Sequence, residues 1–144
     1  MIAIDTNLLI YAHRASVPQH EASRTSIERA MLDRQGWGIA QPSIAEFWAI
    51  VTHPAATGRP SSPKEAAAFV RSLVEDGGGQ IWYAGGGFWE HWAALAVELK
   101  IRGPRIFDLQ IALIAAENGA REIWTHDRRF VSVPGLRVRD PLRQ

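Results

Sequence analysis

The chain has 144 residues, 47% hydrophobic and 22% charged, which suits one packed core and is too apolar for a disordered chain. It contains no cysteine, which excludes a disulfide framework and any thiolate-held metal. Sixteen Lys and Arg against 15 Asp and Glu leave +1, too little to attract a polyanion by net charge, and no apolar run nears the roughly 20 residues that span a bilayer.

Short apolar runs alternate with longer amphipathic ones along the chain. Ile2-Ala3-Ile4 reads as a buried strand ending at Asp5, and a helical turn or two follows through Leu8, Leu9 and Tyr11. The N-terminus has no basic region and Asp5 interrupts any signal-like stretch, so a cytoplasmic protein is expected. Residues 20–34 carry Ala22, Ile27, Ala30 and Met31 among charges, a helical pattern, and residues 37–40 read as a strand. Pro42 and Ser43 introduce a helix over 44–52, ended by His53-Pro54, because a residue preceding proline resists helical geometry. Ser62 caps the next helix, with Pro63 at its first position, and that helix runs to about Asp76 before a glycine triplet.

A third strand over 80–84, a second glycine triplet and a helix over 88–100 come next. Gly103-Pro104 breaks that helix, and a long apolar one over 105–118 ends at Gly119. Residues 122–125 form a fourth strand and 136–139 a possible fifth. Strands separated by helices imply right-handed βαβ units and a doubly wound parallel sheet of four to five strands with helices on both faces, in a single domain over 1–144.

Four acids sit where such a fold would gather them: Asp5, Glu46, Asp108 and Asp127. A buried ionised carboxylate is costly without a partner, so a cluster implies shared protons or a bound cation. With acids and no cysteine, that cation is a hard one, Mg²⁺ or Mn²⁺, and the implied chemistry is that of phosphates. Asp5 and Asp127 each follow a strand, at the carboxyl edge where open α/β sheets bind ligands. Asp108 lies in a helix whose other residues over 107–116 are apolar except Gln110.

Each acid also has a purely structural reading. Asp5 and Asp127 suit helix caps, and Asp108 suits the positive end of a helix dipole. Ser43-Ile44-Ala45-Glu46 fits a capping box, in which Glu46 reaches back to the Ser43 amide.

Taken in order, these segments resemble a known family. Asp5-Thr6-Asn7 after the first strand, Ala45-Glu46-Phe47, Phe107-Asp108-Leu109-Gln110-Ile111-Ala112 and Thr125-His126-Asp127-Arg128-Arg129-Phe130 are similar to the motifs of PIN-domain nucleases. Their order and spacing look most like the VapC-type toxins of toxin–antitoxin systems, over essentially the whole chain. The resemblance implies a PIN-like fold, a metal-dependent endoribonuclease, a homodimer and a cognate antitoxin whose tail occupies the active groove. Asp5 and Asp108 are then expected as direct metal ligands, with Glu46 and Asp127 completing the shell directly or through water. Thr6, Asn7 and Thr125 are expected as hydrogen-bond partners behind them.

Two other functions are weighed. A phosphatase with Asp5 as nucleophile would place a second aspartate two residues on, where this chain has Asn7. A silent domain that only holds RNA or a protein gains nothing from acids beside phosphates. Nearly all the cations are arginines, and Arg102, Arg105, Arg128 and Arg129, with Arg137, Arg139 and Arg143, are candidates for a phosphate-binding rim, the alternative being ion pairs to Asp140 and Glu122. The glycine triplets lack the Gly-Lys-Ser/Thr of a P-loop. Trp48, Trp82, Trp92 and Trp124 are expected in the core, while Trp37 and Trp89 adjoin glycines, where partial burial, base stacking or a dimer contact is open to them.

Overall fold

The computed structural model describes residues 1–56 and 58–143. Its elements run β1 (Ile2–Ile4), α1 (Thr6–His13), α2 (His20–Met31), β2 (Trp37–Ala40), α3 (Gln41–Val51), α4 (Pro63–Glu75), β3 (Gln80–Trp82), α5 (Phe88–Glu98), α6 (Arg105–Glu117), β4 (Glu122–Trp124) and β5 (Arg137–Arg139). The five strands form one sheet in the order β3-β2-β1-β4-β5, and every pairing is parallel. The expected doubly wound fold is present, with its fifth strand.

Strand alternation sorts side chains to two faces, since successive residues point to opposite sides. Ile2, Ile4, Trp37, Ile39 and Trp124 pack against α1, α2, α3 and α4 through Leu8, Leu9, Ile27, Phe47, Val51 and Leu73. Ala3, Ala40, Trp82 and Ile123 pack against α6 through Leu109, Ala112 and Leu113, with Phe88, Trp92 and Leu95 of α5 covering them partly. Helix α6 is buried on most of its surface, which explains its almost unbroken apolar sequence.

Trp37 is fully buried, neither half-covered nor available for stacking. Its ring N–H donates to the Gly77 carbonyl at 2.8 Å. A Cβ on Gly79 would lie 2.7 Å from the same ring, so the first glycine triplet is the bed on which Trp37 lies. Trp82 and Trp124 are core residues as expected, Trp48 and Trp92 are half-buried, and Trp89 is 67% exposed.

Helix α4 starts as its sequence dictates. The Ser62 hydroxyl accepts from the Glu65 amide, and the Glu65 side chain accepts from the Ser62 amide. Helix α3 does not start as expected. It begins three residues earlier, at Gln41, with Ala40 as an N-cap that offers no side-chain oxygen. Ser43 therefore lies inside the first turn, fully buried, with no hydrogen-bond partner for its Oγ among the described residues. The Ser43–Glu46 capping box does not form, and Glu46 is left exposed toward the carboxyl edge of the sheet.

Candidate active site

The strand order reverses at β1. Its chain leaves toward β2 on one side, and β4 returns on the other. The carboxyl ends of strands flanking such a switch point spread apart and leave a crevice. Asp5 follows β1 directly, and Thr125, His126 and Asp127 follow β4, so both arms of the candidate motif arrive at this crevice. Helix α3 brings Glu46 from one side, and the first turn of α6 brings Asp108 from the other. All four acids line one cleft of about 430 Å³, together with Thr6, Asn7, Ile10, Ile50, Arg105 and Phe107.

Asp5 is only 6% exposed. Its Oδ1 accepts from the Thr6 amide at 2.8 Å, capping α1, so the cap and site readings of this residue hold together. Its Oδ2 accepts from the Thr125 hydroxyl at 2.7 Å and from the Asn7 amide at 3.3 Å. Burial pushes the Asp5 carboxyl up to about 6, against the pull of the Thr125 and Thr6 bonds, and repulsion from Asp108 and Glu46 adds to the rise.

Thr125 and Asn7 act as a latch between the two strand ends. The Asn7 side chain donates to the Thr125 Oγ1 at 2.9 Å, and its oxygen accepts from the His126 amide at 3.0 Å. The Thr125 oxygen also accepts from the Asp127 amide at 3.1 Å. At Asn7, where an aspartate phosphatase would carry a second acid, the side chain is thus committed to holding β4 against β1. Thr6 contributes its backbone; its own hydroxyl is buried without a partner among the described residues.

Arg105 lies inside this acidic group. Its Nη1 donates to Asp108 Oδ2 at 2.9 Å and to Asp127 Oδ2 at 2.7 Å. The guanidinium holds the Asp127 carboxyl below the usual carboxylate range, helped by the Arg129 amide donating to Asp127 Oδ1 at 2.9 Å. Arg102, Arg128 and Arg129 have exposed side chains. Arg137 pairs with Glu122 at 2.7 Å, at the amino ends of β5 and β4 and hence at the edge opposite the cleft. Arg143 pairs with Asp140, as the ion-pair alternative holds.

Two features of the site have no signature in the sequence. Asp140 accepts from the His126 ring at 2.9 Å, which fixes the residue just before Asp127. The Arg105–Asp127 pair joins residues 22 positions apart, although the i,i+3 spacing of Arg105 and Asp108 on a helix is a readable cue.

The donor chemistry of the cleft suits a hard divalent ion: carboxylate oxygens, a hydroxyl and an amide, and an Asp5 whose charge is opposed by two neighbouring acids. Among the described residues no three His, Asp or Glu side chains stand close enough to chelate one ion as they are. Such an ion would be held partly through its own water shell, as Mg²⁺ commonly is.

A family model described as PIN domain matches residues 2–136. The chain is similar to Ribonuclease VapC43 of Mycobacterium tuberculosis, 32% identical over 142 residues that cover 99% of this chain and 96% of that protein. It is also similar to Ribonuclease VapC48 of the same organism, 30% identical over 138 residues that cover 95% and 94%. Among solved structures it superposes on Mycobacterium tuberculosis VapC20, described as a Sarcin-Ricin loop cleaving toxin, with a TM-score of 0.67 and 13% identity over 92% of this chain and 98% of that one. VapBC2 from Rickettsia felis, bound to a DNA fragment from its promoter, gives 0.64 with 19% identity over 97% and 98%.

Proposed function

The chain belongs to the PIN-domain family, and from that footing we propose that it is a metal-dependent endoribonuclease of the VapC type, the toxin of a toxin–antitoxin pair. One observation carries the reading: four carboxylates from β1, α3, α6 and the end of β4 line a single cleft at the switch point of the sheet. A domain that merely held RNA would be weakened by negative charge placed where phosphates lie.

Asp5, Glu46 and Asp108 would hold a Mg²⁺ or Mn²⁺ ion, partly through its water shell, with Asp127 at the edge of the group. Such an ion supplies a Lewis acid that makes water a stronger nucleophile and offsets charge on the phosphodiester. The chain's own part is positioning. Thr6, Thr125 and Asn7 fix both Asp5 oxygens, so the carboxylate needs no reorganisation when substrate arrives. Exposed Arg102, Arg128 and Arg129 are the candidates for gripping the RNA backbone. Phe107, 54% exposed on the cleft wall, offers a surface against which a splayed base can stack.

An apolar hollow of about 540 Å³, lined among others by Val17, Ala49 and His53, meets the acidic cleft along Ile10 and Ile50. It supports a cognate antitoxin whose tail crosses into the active groove. A single cytoplasmic domain acting as a homodimer completes the proposal. Among the described residues no helix is long and apolar enough to cross a membrane.

The test is cleavage of end-labelled RNA with Mg²⁺, with EDTA, and with the Asp5→Asn and Asp108→Asn variants. Cleavage is expected only in the wild type with metal. Cutting that survives EDTA or either substitution overturns the reading, and retention of RNA without cleavage selects the silent binding domain instead.

A further inference from the structure

We propose that Arg105 permanently fills one of the two cation positions that the acidic cleft offers, so that the site takes one divalent ion, on the side lined by Asp5, Glu46 and Asp108 and held partly through its own water, and not two. The inference rests on the metal-dependent reading above and concerns how many ions that site admits.

Charge sets the frame. Four carboxylates in one cleft match two divalent cations, the arrangement by which paired metals clamp a phosphodiester. Arg105 brings a fixed positive charge into that group and leaves three negative charges to be balanced. One divalent ion reduces these to a single negative charge. A second would make the group net positive, and would have to approach a guanidinium already bonded to the carboxylates it needs.

The open acceptor positions agree. Asp127 has both oxygens engaged, Oδ2 by Arg105 and Oδ1 by the Arg129 amide. Asp108 has only Oδ2 engaged, by Arg105 at 2.9 Å and at longer range by the Val131 amide at 3.4 Å, so its Oδ1 remains available. Glu46 accepts no hydrogen bond from the protein among the described residues and faces the same cleft. Asp5 feels the charges of Asp108 and Glu46. Both Asp5 oxygens are engaged as well, by Thr6, Thr125 and Asn7, so the oxygens left free are those of Glu46 and Asp108 Oδ1 in the part of the cleft that Asp5 also lines, while the Asp108–Asp127 side is closed by an arginine. A guanidinium supplies charge there without exchanging with solvent, and it fixes the first turn of α6 to the loop after β4.

Mn²⁺ titration followed by the electron paramagnetic resonance signal of the free ion counts ions bound per chain, without substrate and without turnover. The wild type is expected to saturate at one Mn²⁺, Arg105→Lys at one, and Arg105→Gln at two, with the first ion bound on the order of tenfold more tightly once the competing charge is gone. Circular dichroism and a urea midpoint check that the variants fold. Should Arg105→Gln fail to fold, Asp127→Asn gives the answer, because a carboxylate already taken by Arg105 can be lost with one Mn²⁺ still bound. Two ions in the wild type, one ion in a folded Arg105→Gln, or loss of Mn²⁺ from Asp127→Asn each overturns the proposal and leaves the nuclease reading standing. No Mn²⁺ bound to any form sinks both.

Discussion

Asp5→Asn is expected to make the metal-free protein more stable at neutral pH while abolishing its cleavage of RNA. Burial raises the Asp5 carboxyl from 3.8 to about 6 in the folded chain. Between those values the native state keeps a proton that the unfolded state has released, so native stability falls as pH rises through that window. A rise of that size corresponds to about 3 kcal/mol, present in full below the unfolded value and gone above the folded one. Asparagine does not titrate, but its amide nitrogen cannot accept, so part of the bonding that Asp5 takes from Thr6, Thr125 and Asn7 is lost at every pH. The variant should therefore be less stable than the wild type near pH 3.5 in EDTA, by about 1–2 kcal/mol, and should gain about 3 kcal/mol on it by pH 7. That gain amounts to about 1–2 M in urea midpoint for a chain of this size. Every other titrating group is common to both proteins and cancels. Saturating Mg²⁺ should raise the wild-type midpoint at pH 7 and leave the variant unmoved. An offset that stays constant across the pH range, or a wild type that gains on the variant as pH rises from 4 to 6, refutes the account of Asp5 as a buried charge awaiting a cation.

The two serines that fit the same capping pattern should behave differently. Ser62→Ala should cost about 1 kcal/mol in urea unfolding, because a formed capping box is lost. Ser43→Ala should be neutral or stabilising, because its buried hydroxyl has no partner to lose, and a cost equal to that of Ser62→Ala would restore the capping reading of Glu46. Gly79→Ala should destabilise by about 1–3 kcal/mol, since the added methyl meets the Trp37 ring 2.7 Å away, and an unchanged melting temperature would show that the ring has room to shift. Glu122→Gln should lower stability by weakening the Arg137 pair at the amino edge of the sheet, yet leave RNA cleavage intact, and loss of cleavage in a folded variant would place that edge in the active surface.

The fold was legible because strand and helix periods are local. Ile2-Ala3-Ile4, the Ser62-Pro63 start and the Gly119 stop each announce themselves within a few residues. The acids at strand ends were legible for a related reason, since Asp5 and the residues after Trp124 inherit their place from the sheet. Glu46 was ambiguous, because Ser-x-x-Glu describes a helix start and Pro42 lets the helix begin a turn earlier, which places Ser43 inside it. The ties of Arg105 to Asp127, His126 to Asp140 and Trp37 to Gly77 join residues 22, 14 and 40 positions apart. Tertiary packing alone decides such pairs, and no window of sequence contains them. Trp37 shows the cost of judging by neighbours: flanking glycines suggested an open surface, and the distant backbone of Gly77 and Gly79 instead closes over the indole.

The hydroxyl that steadies Asp5 comes from a residue 120 positions further along the chain. While the ribosome is still making the protein, Asp5 and Asn7 emerge well before Thr125 and His126 and have nothing to latch onto. The latch between the two strand ends therefore forms only after β4 and the residues that follow it have left the ribosome. For the nuclease proposed above, activity waits on that point, and an inhibitor made in advance has the intervening interval of translation in which to be waiting.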